Sequence, residues 1–446
     1  MNIALLGFGM QNRSAYDYYN KPENTITICV PNDPGNLPGG VATNIGENYL
    51  SELDRFDLLV RTPIINPNQI TQSNPETPNI LQKVTTPTNE FFKVCPAPII
   101  GVTGTKGKGT TSTLIAKILQ AAGHTVHLGG NIGVPPLDML KKDIKPTDTV
   151  VLELASFQLV DLKYSPKIAV CVVVNQEHTD WHGDMYEYVL AKQQMFAHQK
   201  TDDLAIFDAR SELSEQVVTP SPARKIGYEV PPVGEQPIEE ESVFVEGDTI
   251  MAFGKHVCNT SDVALLGHHN LENVCAAIAA TWDLVQGNTQ IIKKVLQNFA
   301  GLPHRIEILG QKHDVWYIND SFAANPTATI AAIDAIDKHK VLIIGGFDRD
   351  LNLDELTQKI IQRSKDIRKV VLIGASSERV SEHLTTNKFT NFVISKAETM
   401  SEVVKEATAH AQKNDAVLLS PGFPSFDMFK NFEDRGLQFK ECVKNL

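Results

Sequence analysis

Residues 99–111 read IIGVTGTKGKGTT, and this order predicts a buried strand, a glycine-rich turn and the beginning of a helix. Glycines allow successive backbone N–H groups to converge on phosphate oxygens, and a helix N-terminus adds partial positive charge. Lys108 follows the turn, where its ammonium can reach the terminal phosphates of a nucleotide. We predict a triphosphate site rather than a solvated glycine turn, because strand, turn, lysine and helix coincide. Its residues are Gly104, Thr105, Lys106, Gly107, Lys108, Gly109, Thr110 and Thr111.

This loop departs from the strict phosphate-loop spacing. Val102 occupies the first glycine position, and Gly109 stands where the magnesium-binding hydroxyl usually lies. Thr110 or Thr111 must then supply that hydroxyl.

Around the loop, short β-branched runs alternate with stretches of helical period, which is typical of α/β units with largely parallel sheets. Candidate strands are 2–6, 25–30, 57–60, 99–102, 149–152, 168–174, 340–344, 369–373 and 416–419. Candidate helices are 108–122, 185–198, 269–285, 323–336 and 401–412. The length of 446 residues favours about three domains. Boundaries are expected near Lys93, within a polar, proline-rich segment at 66–98, and near Gly301. The irregular, acidic stretch 210–262 reads as a hairpin or loop excursion inside the middle domain.

Composition excludes several classes of protein. Hydrophobic residues make up 42% and charged residues 21%, which is ordinary for a packed globular chain. Lys and Arg number 41 against 53 Asp and Glu, and this net charge of −12 disfavours nucleic acid or anionic membrane as a partner. Six cysteines without CxxC spacing fit reduced thiols in the cytoplasm. The N-terminal sequence lacks the basic region of a signal peptide, and the longest apolar run, 168–174, is too short to span a bilayer.

Three further positions are candidates for metal chemistry. Glu153 ends a hydrophobic strand, and an acid at the carboxyl end of a strand beside a phosphate loop can hold Mg²⁺. The next strand is followed by NQEHTDWHG at 175–183, which contains His178, and zinc is disfavoured there because no cysteine joins the cluster. Lys192 lies in a predicted helix. By themselves, Glu153 and Lys192 fit surface positions better, and the histidine cluster fits a polar loop equally well.

Nine motifs occur in the order found in the Mur ligase family, which the chain resembles strongly from residue 94 onward and weakly before it. They are GVTGTKGKGTT, GGNIG at 129–133, LELASFQL at 152–159, NQEHTDWHG, AKQQMF at 191–196, GHHNLENVCAA at 267–277, GLPHRIE at 301–307, INDSFAANP at 318–326 and SPGFPSFDMFKNFEDRGLQF at 420–439. The last four most resemble the D-glutamate-adding branch.

The resemblance implies three α/β domains. A Rossmann-like domain at 1–93 would bind the UDP part of the substrate, a central ATPase domain at 94–300 has a mostly parallel sheet, and a Rossmann-like domain at 301–446 would bind the amino acid. It also implies the reaction. ATP phosphorylates the carboxylate of UDP-N-acetylmuramoyl-L-alanine, and an amino acid, D-glutamate first among the candidates, attacks the acyl phosphate. The expected cofactors are ATP and Mg²⁺ at two sites, in a cytoplasmic monomer.

By position, the resemblance also assigns roles to residues. Lys108 would stabilise the transferred phosphoryl group, while Thr110, Glu153, His178 and a carbamylated Lys192 would hold magnesium. The ATP contacts outside the loop would be Asn270, Asn273, Arg305 and Asp320. The contacts to the other substrates would be Asn131, Ser156, Arg349, Ser425 and Phe432.

Departures from the family pattern leave alternatives open. GTKGKGT is similar to the loop of folylpolyglutamate synthases, which suggests a folate-type ligase. Phe322 and Ala324 replace a lysine and a threonine that hold the D-glutamate carboxylates, so a different amino acid such as L-glutamate is a second alternative, with Arg349 retaining a cation nearby. A non-catalytic nucleotide-binding partner protein is a third. The retained Glu153, His178 and Lys192 speak against the last.

Overall fold

The computed structural model describes residues 1–131, 133–232, 234–238, 242–265, 267 and 269–446, and of His269 only the backbone. Two motif residues, Ile132 and His268, and the acidic run 239–241 lie outside the described residues. Across the described part of the chain the backbone forms three sheets with mostly parallel strands, which confirms the α/β class. The chain divides into two compact units, Met1–Phe299 and Ala300–Leu446. The boundaries at 93 and 300 stay predictions.

The first sheet contains the strands β1 (Asn2–Leu6), β2 (Thr25–Val30), β3 (Ala42–Ile45), β4 (Leu58–Arg61) and β5 (Val84–Thr85). Its helices are α1 (Met10–Tyr19), α2 (Pro67–Ser73) and α3 (Pro87–Val94). The strands run parallel in the order β3-β2-β1-β4-β5. Segment 66–98, which its composition marks as a connection, therefore contains two helices and the edge strand. Proline at a first helical turn favours a helix start, and the side chains of Asn66 and Thr86 cap α2 and α3.

The central sheet begins with β6 (Ile99–Thr103), β7 (Val126–Gly130), β8 (Thr149–Glu153), β9 (Ile168–Cys171), β10 (Leu204–Asp208) and β11 (Arg224–Glu229). It ends with β12 (Val243–Glu246), β13 (Thr249–Ala252) and β14 (Lys255–Asn259). Its helices are α4 (Lys108–Ala121), α5 (Pro136–Met139), α6 (Ser156–Leu159), α7 (Thr179–His182), α8 (Met185–Ala197), α9 (Glu212–Val218), α10 (His269–Thr281) and α11 (Thr289–Asn298). The order is β14-β13-β12-β11-β10-β9-β6-β8-β7, and the last three strands in sequence pair antiparallel, so a hairpin is present at 243–259. The excursion predicted over 210–262 is too long, because its first part contains α9 and β11, and β11 pairs parallel with β10.

The third sheet contains β15 (Glu307–Lys312), β16 (Val315–Asn319), β17 (Lys340–Gly345), β18 (Ile367–Ile373), β19 (Phe392–Ile394) and β20 (Ala416–Leu419). Its helices are α12 (Pro326–Ala335), α13 (Asp354–Gln362), α14 (Ser377–Thr386), α15 (Met400–Ala409) and α16 (Phe432–Lys444). The order is β15-β16-β20-β17-β18-β19, and only β15 pairs antiparallel. Every strand predicted from the sequence is present, with ends shifted by at most three residues. Among the described helices, none combines the length and apolar character that a bilayer span requires.

The strand order of the central sheet positions the site. Strands β9, β6 and β8 are parallel neighbours, with Val102 paired to Glu153 and Thr103 paired to Cys171. Because the carboxyl ends of parallel strands meet at one edge of a sheet, the segments that follow these strands share that edge. This edge therefore carries the phosphate loop after β6, Glu153 at the end of β8, and residues 175–183 after β9.

Candidate active site

The phosphate loop adopts a backbone that requires two of its glycines. Gly104 has a φ of +148°, and a Cβ there would lie 2.4 Å from Cγ2 of Val172. Gly107, the residue before α4, has a φ of +87°, and its Cβ would lie 2.1 Å from Oδ1 of Asn273. The loop backbone therefore packs too closely against Val172 and Asn273 to accommodate a side chain at either glycine.

The described contacts distinguish the two candidate threonines. Thr111 is fully buried, and its hydroxyl donates to Asn273 Oδ1 at 3.1 Å. Asn273 Nδ2 in turn donates to Asn270 Oδ1 at 2.9 Å, so α10 is tied to the loop through these two asparagines. Thr110 is only half-buried in the first turn of α4. Thr110 is therefore the less buried of the two residues, and its hydroxyl is the better candidate to bind magnesium.

Two lysines converge on one backbone carbonyl of the loop. Lys108 Nζ donates to the oxygens of Gly104 at 3.2 Å and Thr105 at 2.9 Å. Lys192 Nζ, from α8, donates to the same Gly104 oxygen at 3.0 Å. Lys192 is 1% exposed, so it is not the surface lysine that its sequence context alone favours.

Burial changes the chemistry of this second lysine. Desolvation in the interior, with a smaller contribution from the Lys108 cation, lowers the pKa of Lys192 from 10.5 to about 7. A substantial fraction of its side chain is therefore a neutral amine near neutral pH. The neutral amine is the nucleophilic form.

Glu153 and Asn131 lie together at the ends of adjacent strands. Asn131 Nδ2 donates to Glu153 Oε1 at 3.1 Å, and the backbone N–H of Asn131 donates to the Glu153 carbonyl at 2.8 Å. Glu153 is 5% exposed, so it is not the surface acid that its sequence context alone favours. A Cβ on Gly130 would lie 2.2 Å from the Glu153 carbonyl oxygen, so the glycine permits this approach.

The segment after β9 places two histidines around Phe157. His178 has a left-handed φ of 57°, and its ring centroid lies 4.7 Å from that of Phe157. His182 stacks on the same ring at 5.6 Å, and its Nε2 hydrogen-bonds the Ser156 hydroxyl at 2.9 Å. Burial, reinforced by the Lys192 cation, lowers the pKa of His182 to about 4. His182 is therefore neutral, and Ser156 is a buried partner of it rather than an isolated hydroxyl.

In the part of the chain that the structure describes, no three His, Cys, Asp or Glu side chains are placed together as a metal site. Glu153 and His178 share the edge of the central sheet without a third ligand of these types. A hard divalent ion would need additional oxygen donors.

Within the C-terminal unit, the predicted ATP contacts lie beside an aromatic cluster. Asp320 accepts hydrogen bonds from the Ser420 hydroxyl at 2.7 Å and the Ile306 N–H at 3.1 Å, and burial raises its pKa from 3.8 to about 7. The Arg305 guanidinium lies 3.8 Å above the Phe322 ring, and Phe322 meets Phe432 edge-on at 5.0 Å. The position that would carry a lysine thus presents an aromatic face covered by an arginine.

Two further residues, Ser425 and Arg349, are predicted to contact the amino-acid substrate. Ser425 is buried, and its carbonyl accepts from the Phe429 N–H at 2.8 Å. Arg349 is exposed, and its guanidinium lies 5.8 Å from the Phe426 ring rather than over Phe322 or Phe432.

Sequence reasoning did not single out Arg435, which is fully buried in the C-terminal unit. It donates to the Ser321 hydroxyl at 3.0 Å, the Ser321 carbonyl at 2.9 Å and the Phe423 carbonyl at 3.1 Å. These bonds tie α16 to the segments that carry Asp320 and Ser425. The only sequence signal was its place within the final motif.

The three-sheet fold and the matching family models define the class of this protein, an ATP-dependent ligase. The Mur ligase middle domain matches residues 102–281, and the Mur ligase glutamate ligase domain matches residues 304–423. The chain belongs to the Mur ligase family.

Two relatives are named UDP-N-acetylmuramoylalanine–D-glutamate ligase. The protein of Clostridium tetani is 32% identical over 455 residues, with 100% of this chain and 96% of that protein covered. The protein of Acetivibrio thermocellus is 35% identical over 463 residues, with 100% and 96% covered. The crystal structure of UDP-N-acetylmuramate–alanine ligase from Thermotoga maritima has the same fold, with a TM-score of 0.59, 16% identity and 100% and 99% coverage.

Proposed function

We propose that this chain is an ATP-dependent ligase that joins D-glutamate to UDP-N-acetylmuramoyl-L-alanine during cytoplasmic synthesis of peptidoglycan precursors. The observation that carries the proposal is the convergence of Lys108 and Lys192 on the Gly104 carbonyl, at the sheet edge that also holds Glu153. The names and full-length identity of the relatives support the substrates. We expect the enzyme to act as a monomer.

The proposed acyl-phosphate chemistry requires positive charge at this loop, where Lys108 and Lys192 lie. A carboxylate is a poor electrophile, because its leaving group would be oxide. In the proposed reaction, a carboxylate oxygen of the substrate attacks the γ-phosphorus of ATP and ADP leaves. The amine of the amino acid then attacks the acyl carbon, phosphate leaves with the C–O bond electrons, and the nitrogen loses a proton. Lys108 offsets the charge that two anions bring together.

The donor set fits magnesium once Lys192 is modified. Addition of the neutral Lys192 amine to CO₂ forms an N–C bond and releases one proton, which leaves an anionic carbamate with two oxygens. This group would add two anionic oxygens to the donors that Glu153, His178 and the Thr110 hydroxyl already offer, and two magnesium ions are proposed there. Bound magnesium would neutralise phosphate charge and orient the triphosphate.

The other contacts are proposed by position. The first sheet would hold the UDP part of the substrate, with Asn131 and Ser156 beside the sugar. Asn270, Asn273, Arg305 and Asp320 would contact ATP. Ser425, Phe432 and Arg349 would contact the amino acid.

A second candidate function is the same reaction with a different amino acid, such as L-glutamate. The observation that favours it is the contact between Arg305 and Phe322, since an aromatic ring occupies a position suited to a carboxylate-binding cation. A charge-assisted bond lost from the pocket would cost about 1.5–3 kcal/mol.

The test is phosphate release from ATP and Mg²⁺ with the nucleotide sugar and each amino acid in turn, followed by the mass of the product. We expect D-glutamate to give the largest stimulation. If no amino acid stimulates release, the ligase proposal is refuted. Folate-dependent ADP formation without a response to the nucleotide sugar would favour the folate-type alternative, and ATP binding without turnover would favour the non-catalytic one.

A further inference from the structure

Arg61, at the end of β4 in the first sheet, is fully buried and makes hydrogen bonds in several directions at once. Its Nε and Nη2 atoms donate to the two carboxylate oxygens of Asp161 at 3.0 and 2.7 Å. Nη2 also donates to the Phe157 carbonyl at 3.2 Å. One side chain from the first sheet is thus fixed to the segment that follows β8 in the central sheet.

The same guanidinium also shapes the loop that follows it. Nη1 donates to the backbone carbonyls of Thr62 at 3.2 Å, Pro63 at 3.3 Å and Ile65 at 2.7 Å. Three carbonyls of one short loop therefore point at a single planar group. Arginine is suited to this role because its five N–H donors have a fixed geometry.

A second connection holds this loop from the other side. Trp181 Nε1 donates to the Ile64 carbonyl at 2.8 Å, and Asn66 Nδ2 donates to the Trp181 carbonyl at 2.9 Å. Trp181 lies in α7, which begins immediately after His178. Residues 61–66 are therefore held between the segment carrying Ser156 and the segment carrying His178.

Phe157 connects both segments to the proposed chemistry. Its carbonyl accepts from Arg61, and its ring contacts His178 at 4.7 Å and stacks on His182 at 5.6 Å. A displacement of the Arg61 guanidinium would consequently move the ring on which both histidines rest. Neither Lys108 nor Asn273 takes part in the hydrogen bonds of Arg61 described above.

We propose that Arg61 is a positioning residue for the ligase reaction, which fixes the loop of the first sheet to Ser156 and His178. This inference rests on the proposed function, in which the first sheet holds the UDP part of the substrate and the central sheet holds its carboxylate. The hydrogen bonds of Arg61 to Asp161 and Phe157 then set the separation between these two parts of one substrate. ATP, which binds at the phosphate loop, does not depend on it.

The test compares Arg61→Lys with wild type. Lysine retains the charge but loses the planar fork, so it cannot serve Asp161, Phe157 and the loop carbonyls together. We expect kcat/KM for the nucleotide sugar to fall by about tenfold to a hundredfold, since small displacements of a bound substrate have large kinetic effects. The KM and Kd of ATP should remain unchanged.

Arg210→Lys is the matched control. Arg210 also forks between carboxylates, those of Glu229 and Glu235, but these partners lie toward the other end of the central sheet. It should leave the kinetics of both substrates unchanged. Backbone amide hydrogen exchange across residues 178–182 should rise in Arg61→Lys and stay unchanged in the control.

Two results would overturn the inference: an unchanged kcat/KM for the nucleotide sugar, or an equal rise in the KM values of ATP and the nucleotide sugar together with a lower melting temperature. A wild-type protein that turns over no substrate would refute the proposed function instead. In that case hydrogen exchange at 178–182 alone decides whether Arg61 couples the two segments.

Discussion

Replacement of Lys192 by alanine tests the proposed carbamate. With a pKa of about 7, roughly half of the Lys192 amines are neutral at pH 7, whereas an amine of ordinary pKa near 10.5 is only about 0.03% neutral. This is a difference of roughly 1,000-fold in the concentration of the form that adds CO₂. Carbamylation should therefore occur at Lys192 far more readily than at surface lysines.

Two assays follow from this value. With ¹³C-labelled bicarbonate, wild type should show a carbamate signal by ¹³C NMR that is lost in Lys192→Ala and retained in Lys200→Ala, a matched change at an exposed lysine. Loss of an anionic ligand should lower kcat by about 10²–10³-fold, and short carboxylic acids should restore part of it. Because protonation of the amine prevents addition of CO₂, the signal should also weaken as pH falls below about 7.

Near-normal activity of Lys192→Ala would refute the carbamate at this lysine. So would a loss of activity that no carboxylic acid restores, together with no carbamate signal in wild type. A carbamate signal that grows as pH falls would contradict the assigned pKa.

Lys108→Met should lower turnover by about 10²–10³-fold with an unchanged melting temperature, since it removes charge from the transferred phosphoryl group and leaves the fold intact. Gly107→Ala should weaken ATP binding by about tenfold in calorimetry, because the added methyl collides with a side chain of α10. Gly123→Ala is its control, with a similar positive φ but open space around it. Phe322→Lys should lower the KM of D-glutamate by about ten- to a hundredfold, whereas Phe322→Leu should not. Asp320 has a folded pKa of about 7, raised from 3.8 by burial, so the folded state binds more protons than the unfolded state between these values and stability falls as pH rises through that window. Asp320→Asn should remove this loss and raise the melting temperature at pH 8 more than at pH 4.

Each of these predictions has an outcome that contradicts it. Full activity in Lys108→Met would remove the phosphate-loop assignment. Equal effects of Gly107→Ala and Gly123→Ala would show that backbone strain alone explains the loss. An unchanged KM in Phe322→Lys would mean that the amino-acid pocket lies elsewhere. A pH-independent effect of Asp320→Asn would contradict the raised pKa.

Local sequence was sufficient where spacing and strand order decide the outcome. The phosphate loop lies between β6 and α4 as predicted, because strand, glycines and helix are consecutive along the chain. Glu153 comes beside it because β6 and β8 pair, which parallel α/β patterning anticipates. The burial of Lys192 could not be read from its helix, since that depends on how α8 packs against the loop.

Contacts between segments that are distant along the chain could not be predicted from the sequence. Arg61 and Asp161 are 100 residues apart, and neither belongs to a recognisable motif. The assignment of Thr111 to Asn273 likewise required the structure, because both threonines have the same residue type and neighbouring positions. Segment 66–98 shows a different error, since prolines that begin helices resemble prolines that interrupt them.

Transfer of oxygen from the substrate to phosphate tests acyl-phosphate formation most directly. UDP-N-acetylmuramoyl-L-alanine labelled with ¹⁸O in its carboxylate is incubated with the enzyme, unlabelled ATP, Mg²⁺ and the amino acid, and the released phosphate is analysed by mass spectrometry. We expect each turnover of a fully labelled substrate to transfer one ¹⁸O atom to phosphate. Product formation with unlabelled phosphate would show that no acyl phosphate forms.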